Sequence, residues 1–377
     1  MEKHIKKMVS VLLVCVMSVM SVIAFDMKPV HAASGAITEA SGWLETAYVK
    51  WTPVTGATGY NVYVKSASAS DSAYVQLDDE LIRKYTSYMR ADAVGLKAGD
   101  YVMKIVPINN GKENTSAAIV SDKLTVKSHD RSGFGFVNGT SSGAYNEDGT
   151  LKDNALVIYV TENTKNTVSL NVTGAGECKG IQDILNGFKK KNDKRPLCVR
   201  IIGTITDPTV LTKGDLYIET NVQGLTIEGI GDDAVINGFG IVMKNCDNVE
   251  VRNIGIMNVD SNEGDNIGLQ QGNTHVWIHN NDYFYGDAGS DADQVKGDGA
   301  LDTKTSTYIT HSYNHFWDNG KCNLQGMKSE KTTNYITYHH NWYDHSDSRH
   351  PRIRTCTVHI YNNYFDGNAK YGVGVTM

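Results

Sequence analysis

The chain has 377 residues, enough for more than one domain. It carries 36 Lys and Arg against 42 Asp and Glu, a formal net charge of -6, so no general nucleic-acid surface is expected and any basic site must be local. Six cysteines without a CxxC pair exclude a dense disulfide framework and a zinc knuckle; most lie in apolar strand-like runs and read as buried thiols.

At the N-terminus, Lys3, Lys6 and Lys7 precede an apolar run from Met8 to about Phe25, and "VHAA" offers small residues for cleavage near Ala32 or Ala33. The run is short for a spanning helix and a cleavage site follows, so residues 1–32 are read as a secretory signal peptide, and export is expected. Cleavage after Ala32 removes four lysines and two acids, giving a mature charge of -6 - 2 = -8. From residue 36 to 127 short apolar strands alternate with polar turns, as in "AYVKWTPVTGATGYNVYVK" and "GDYVMKIVPINNGKE", a pattern that predicts a small β-sandwich. With Trp51 on an early strand and the "VTGATGYNVYV" and "GDYVMKIVPINNG" segments, this region resembles a fibronectin type III module. Residues 128–150, rich in Gly, Ser and Asn, read as a linker. In "GIQDILNGFKKKNDKRP", Ile181, Ile184, Leu185 and Phe188 fall at helical spacing, and Lys189 to Lys191 make its solvated end.

The rest of the chain repeats itself: "LTIEGIGDDAVINGFG", "VEVRNIGIMNV", "VWIHNNDYFYG", "ITHSYNHFWDN", "ITYHHNWYDH", "VHIYNNYFDGN". Asn281, Asn314, Asn341 and Asn363 each follow the first apolar residue of a strand by five positions, and an aromatic comes two residues later, at Tyr283, Phe316, Tyr343 and Phe365. Strand, turn residue and second strand recur with an irregular period and without the periodic leucines of a leucine-rich repeat. The pattern predicts an all-β, right-handed parallel β-helix over residues 151–377, with apolar residues stacked inside and asparagines laddered at the corners. Loops of variable length leaving the coils are where function is expected.

Acidic residues gather in two such places. "SNEGDNIGLQQ" holds Glu263 and Asp265, and "SDADQVKGDGALDTKTST" holds Asp291, Asp293, Asp298 and Asp302. Carboxylates converging from adjacent coils form the oxygen-rich site that a hard cation such as calcium prefers, although acidic loops are more often merely solvated and no EF-hand spacing is present. Cations follow: Lys321 in "WDNGKCNLQG", then Arg349 and Arg354 in "RHPRIR". If coils stack about 5 Å apart, acids and bases separated by dozens of residues share one groove, suited to a substrate that itself bears carboxylates. Taken alone, the basic cluster could equally be a surface patch balanced by Asp344 and Asp347.

From about residue 197 onward the sequence resembles the calcium-dependent pectate lyases of polysaccharide lyase family 1. The resemblance is carried by "VRIIGTIT", "GDGALDTKTSTYITHSYNHFWDNGK" and R-x-P-x-x-R, present as Arg349, Pro351 and Arg354 before "VHIYNN". It implies the parallel β-helix reached independently from the repeats. It further implies that Asp265, Asp298 and Asp302, joined by Glu263, bind Ca2+; that Arg349 takes the proton from C5 of a galacturonate residue; and that Lys321 and Arg354 bind the adjacent carboxylate. The implied partner is polygalacturonate, acted on by a secreted monomer that engages neither nucleic acid nor, after signal removal, a membrane.

Two departures from the family stand out: His279 and Asn280 replace the usual Asp-His after the "VWI" strand, and the chain stops at "YGVGVTM", short of further coils. Local repacking is expected from the first, and a C-terminally short copy from the second. Two other functions fit the same fold. A polygalacturonase-type hydrolase would use Asp298 and Asp302 as acid and base but leaves Lys321, Arg349 and Arg354 unexplained. A non-catalytic carbohydrate-binding solenoid needs none of this chemistry.

Overall fold

The computed structural model describes residues 35–190, 192–207, 209, 211–219, 224–259, 264–284, 298–331, 334–368 and 372–375. The signal-like segment lies outside them.

The first unit is a sandwich of two antiparallel sheets. One orders Ile37–Gly42, Thr46–Trp51, Met89–Val94 and Ile82–Lys84; the other orders Leu124–Val126, Gly99–Asn109, Gly59–Ser66 and Val75–Gln76. Alternating residues face inward, as strand geometry requires. Val49, Trp51, Val62, Val64, Met103 and Ile105 form the core, with Tyr60 edge-on to Trp51 at 5.2 Å.

The second unit is a parallel β-helix whose coils each contribute three short strands. One coil runs Ile241–Lys244, Asp247–Arg252, Gly255–Met257; the next Ile267–Gln271, Thr274–His279, Asp282–Phe284; then Leu301–Thr303, Thr307–Ser312, His315–Trp317. Two more follow from Leu324–Gln325 and Arg352–Ile353. The middle strands stack in strict register, Leu225, Val249, Val276, Ile309, Ile336 and Val358 lying one above another. A slip of one residue would turn this apolar column to solvent, so the pattern locks the register. The single α-helix among the described residues, Ile181–Lys189, buries Ile181, Ile184, Leu185 and Phe188 in the core at the first coils. It supplies the cap that a stack of coils needs at its end.

The corner asparagines do what their recurrence predicts. Asn281 Nδ2 donates to Asn314 Oδ1 (3.2 Å), Asn314 Nδ2 to Asn341 Oδ1 (3.1 Å), and Asn341 Nδ2 to Asn363 Oδ1 (2.9 Å). Tyr283, Phe316 and Tyr343 are buried and stack nearly parallel with the exposed Phe365 of the last coil, centroids 4.9, 5.0 and 5.1 Å apart.

Residues 128–150 are not a free tether. They lie as a strap along the outer face of the middle sheet, where Phe134 N donates to Thr337 Oγ1, Gly135 N to Thr310 Oγ1 and Ala144 N to Thr226 Oγ1, each at 2.9 Å. The glycines let the backbone approach: at Gly143 (φ 59°) a Cβ would come within 2.2 Å of Thr226 Oγ1. The sandwich is fastened through buried charge. Glu45 accepts from Arg131 of the strap and from Arg252 of the β-helix (3.5 Å), and Arg252 also donates to Glu228 (2.7 Å) and Glu250 (3.2 Å). With Arg131 on Glu45 and Arg200 on Glu228 (3.0 Å), three guanidiniums meet three carboxylates, so no buried charge is left unpaired, which is the condition for such a network to hold.

Candidate active site

Of the acids and bases singled out in the sequence, Asp265, Asp298, Asp302, Lys321 and Arg349 come together along the sheet formed by the first strand of each coil. Asp302 sits in Leu301–Thr303, opposite Gly268 of the preceding coil, and Asp265 lies three residues before that glycine. Lys321 and Arg349 occupy the next two coils: Ala300 N donates to Lys321 O (2.8 Å) and Asn323 N to Arg349 O (2.7 Å). Sequence distance thus becomes spatial adjacency through the strand spacing of about 4.8 Å.

Asp265 and Asp302 are buried, and Asp298 is half-exposed. Gly299 N donates to Asp265 Oδ1 and Leu324 N to Asp302 Oδ1, both at 2.8 Å, which aims the two carboxylates. A Cβ at residue 299 would lie 2.3 Å from Asp302 Oδ1, so glycine is required between the paired acids. Burial, reinforced by Asp302, pushes the Asp265 carboxyl well above the usual range; burial also pushes Asp302 up, against the pull of Lys304 and Arg349. Two carboxylates held together out of water are electrostatically costly without a cation, and an all-oxygen set of this kind suits Ca2+.

The cations stand around these acids. Lys321 Nζ donates to Asp298 Oδ1 at 3.0 Å, and Arg349 Nη1 is 3.8 Å from Asp302 Oδ2. Arg349 adopts φ 63°, an uncommon conformation for a side-chain-bearing residue and a cost that clusters at functional positions. Arg354 follows the strand Arg352–Ile353, its backbone N donating to Gln325 O of the previous coil (2.7 Å). His350 is turned inward against Tyr343 (5.4 Å), away from the charged edge. Glu263 lies outside the described residues, as do Asp291 and Asp293.

One member of the cluster was not anticipated. Lys304 Nζ reaches Asp265 Oδ2 at 3.3 Å and Asp302 Oδ2 at 3.9 Å. The signal was present, since Lys304 follows Asp302 by two residues and so shares its strand face. The His279–Asn280 departure falls elsewhere, on the outer face of the middle sheet. There the buried His279 ring stacks on Trp277 (3.5 Å) and pairs with Glu250 (3.0 Å), away from Asp265, Asp298 and Asp302. A cleft of about 500 Å³ also opens between sandwich and β-helix, walled in part by Trp43, Arg90, Asp232 and Phe284, and the acid–base cluster takes no part in it.

Comparison with known proteins bears on the β-helical part of the chain. The family model for pectate lyases matches residues 211–377. A pectate trisaccharide-lyase of Bacillus licheniformis is 33% identical over 196 residues, covering 52% of this chain and 56% of that protein. Pectate lyase A of Emericella nidulans is 38% identical over 173 residues, covering 42% and 51%. The crystal structure of a Bacillus sp. N165 pectate lyase in complex with trigalacturonate superposes with a TM-score of 0.53 and 26% identity, covering 65% of this chain and 72% of that one. The chain spans about half the length of the curated relatives it matches. In both sequence and fold, its β-helical part is similar to pectate lyases.

Proposed function

We propose that the protein is a secreted, calcium-dependent pectate lyase, acting as a monomer on α-1,4-linked polygalacturonate by β-elimination. The observation that carries this reading is the stacking of Lys321 and Arg349 on consecutive coils against Asp298 and Asp302. A hydrolase needs only the carboxylate pair and no cationic companions.

Asp265, Asp298 and Asp302, with Glu263 by resemblance, would hold the Ca2+, which supplies positive charge beside the substrate carboxylate and so acidifies the neighbouring C–H. Lys321 and Arg354 bind that carboxylate through charge-assisted hydrogen bonds, which strengthen as negative charge accumulates during proton removal. Arg349 accepts the C5 proton. The electron pair becomes the C4–C5 double bond, the C4–O bond breaks, and the departing oxygen takes a proton from solvent. No water is consumed. A guanidine can take a proton only in its neutral form, so proton abstraction is expected to accelerate toward alkaline pH.

The two-sheet sandwich around Trp51 supports a fibronectin type III-like module as its identity. The decisive experiment follows ultraviolet absorbance of the unsaturated uronate while the purified chain acts on pectate, with and without a calcium chelator. Chelator-sensitive absorbance is expected. New reducing ends without unsaturation would establish a hydrolase instead, and undiminished turnover by Arg349→Ala would refute the assigned base.

A further inference from the structure

The corner at the end of each middle strand repeats one backbone feature. The last strand residue is followed by one with positive φ, at Asn280 (53°), Tyr313 (55°), His340 (53°) and Asn362 (54°). Successive strand side chains normally point to opposite faces. A left-handed residue at the strand end breaks this alternation and brings neighbouring side chains together: His279 Nδ1 lies 2.8 Å from Asn280 Oδ1, and His339 Nδ1 lies 2.9 Å from His340 Nδ1. In the His339 coil the pair is two imidazoles, and Asp130 of the strap adds a carboxylate. One ligand atom from each of Asp130, His339 and His340 lies within 4.8 Å of the others.

We propose that Asp130, His339 and His340 form a binding site for a divalent transition-metal ion of the zinc type, separate from the acidic cluster. Two imidazoles with one carboxylate are the donors that borderline-soft ions choose, whereas the oxygen-only cluster suits calcium. Ring nitrogens bound side by side to one ion, with bonds of about 2.0–2.1 Å, stand roughly 2.9–3.4 Å apart. The observed 2.9 Å already meets that spacing. The rings are held in place: His340 stacks on Tyr313 (4.6 Å, 4°) and His339 on Tyr361 (5.0 Å, 3°). Tyr313 Oη donates to Asp130 Oδ2 at 3.2 Å, and Asn362 Nδ2 lies 3.3 Å from His340 Nε2, where turning the amide over would present its oxygen to accept from that nitrogen when Nδ1 holds the ion. Three protein ligands leave positions for water, and the bound ion would pin the strap to the β-helix through Asp130.

The test titrates the full-length protein with Zn2+ by calorimetry in calcium-saturated buffer, and separately with Co2+ by visible absorbance. One ion per chain and a cobalt ligand-field band are expected. His340→Asn recreates the His279–Asn280 pair that the same fold already carries two coils earlier, so it should keep the wild-type circular dichroism while weakening zinc about 100-fold and abolishing the band. Asp130→Asn should weaken zinc at least about tenfold. Absence of stoichiometric zinc binding to the wild-type chain overturns the proposal. So does zinc binding that survives His340→Asn unchanged but disappears in Asp302→Asn, since that would put the ion in the acidic cluster.

Discussion

Replacing Asn314 with alanine tests whether the corner ladder, rather than the apolar column alone, holds the coils together. Asn314 is buried and makes four side-chain hydrogen bonds. Its Nδ2 donates to Ile278 O (2.9 Å) and Asn341 Oδ1 (3.1 Å), and its Oδ1 accepts from Asn281 N and Asn281 Nδ2 (3.2 Å each). Each bond contributes about 1 kcal/mol net, and buried partners left unsatisfied cost more, so the expected loss is about 3–5 kcal/mol. For a domain of this size about 1 kcal/mol moves the melting temperature by roughly 2–4 °C, so a fall of about 6–20 °C is expected. Trp277 is buried in the adjacent coil and stacked on His279, and its fluorescence reports the transition. Asn363→Ala is the internal control. Asn363 is only half-buried, so water can replace its bonds and the loss should be smaller. A change below about 1 kcal/mol for Asn314→Ala, or equal losses at both positions, would refute the ladder as a source of stability.

Arg349→Ala should lower pectate turnover by about 100- to 10,000-fold with an unchanged melting temperature, and the wild-type rate should rise with pH. A flat profile in the ultraviolet assay would contradict the assignment. Asp302→Asn should abolish turnover yet raise thermal stability in chelator, because it removes one of two buried like charges while its amide oxygen can still accept from Leu324 N. The sign follows from linkage. A carboxyl whose folded value is raised above its unfolded 3.8 binds more protons when native, so the chelated wild-type protein should lose stability as pH rises from 3.8 through the raised value. Melting scans from pH 4 to 8 should show this decline, flattened in Asp302→Asn. Glu45→Ala strands Arg131, while Arg252 keeps Glu228 and Glu250, and should cost about 3–5 kcal/mol, read as a separate melting of the sandwich by calorimetry.

The repeat was legible because each coil writes the same corner again. An asparagine with an aromatic two residues later recurs at 281, 314, 341 and 363, and the ladder and ring stack in the structure follow directly from that recurrence. The strap was not legible. Glycine and serine between residues 128 and 150 have the same composition whether they dangle or dock, and only contact with Thr226, Thr310 and Thr337 distinguishes the two. Lys304 was legible in principle from its two-residue offset to Asp302. The His339–His340 pair was not, because adjacent residues on a strand are expected to diverge and only the left-handed turn at His340 makes them meet.

Local pattern by itself determined two of the three strands of each coil, the helix around Ile184, the inward-facing column, and the candidate acids and bases at Asp265, Asp298, Asp302, Lys321 and Arg349, with Lys304 overlooked. These follow from periodicity and residue chemistry, which act over a few positions. Tertiary structure alone decided which of those charged groups meet, that Asp265 and Asp302 lose their water, and that Glu45 reaches Arg252 across two units. Such facts depend on how coils stack and what covers them, and the burial of a charge is a property of its surroundings, not of the residue that carries it.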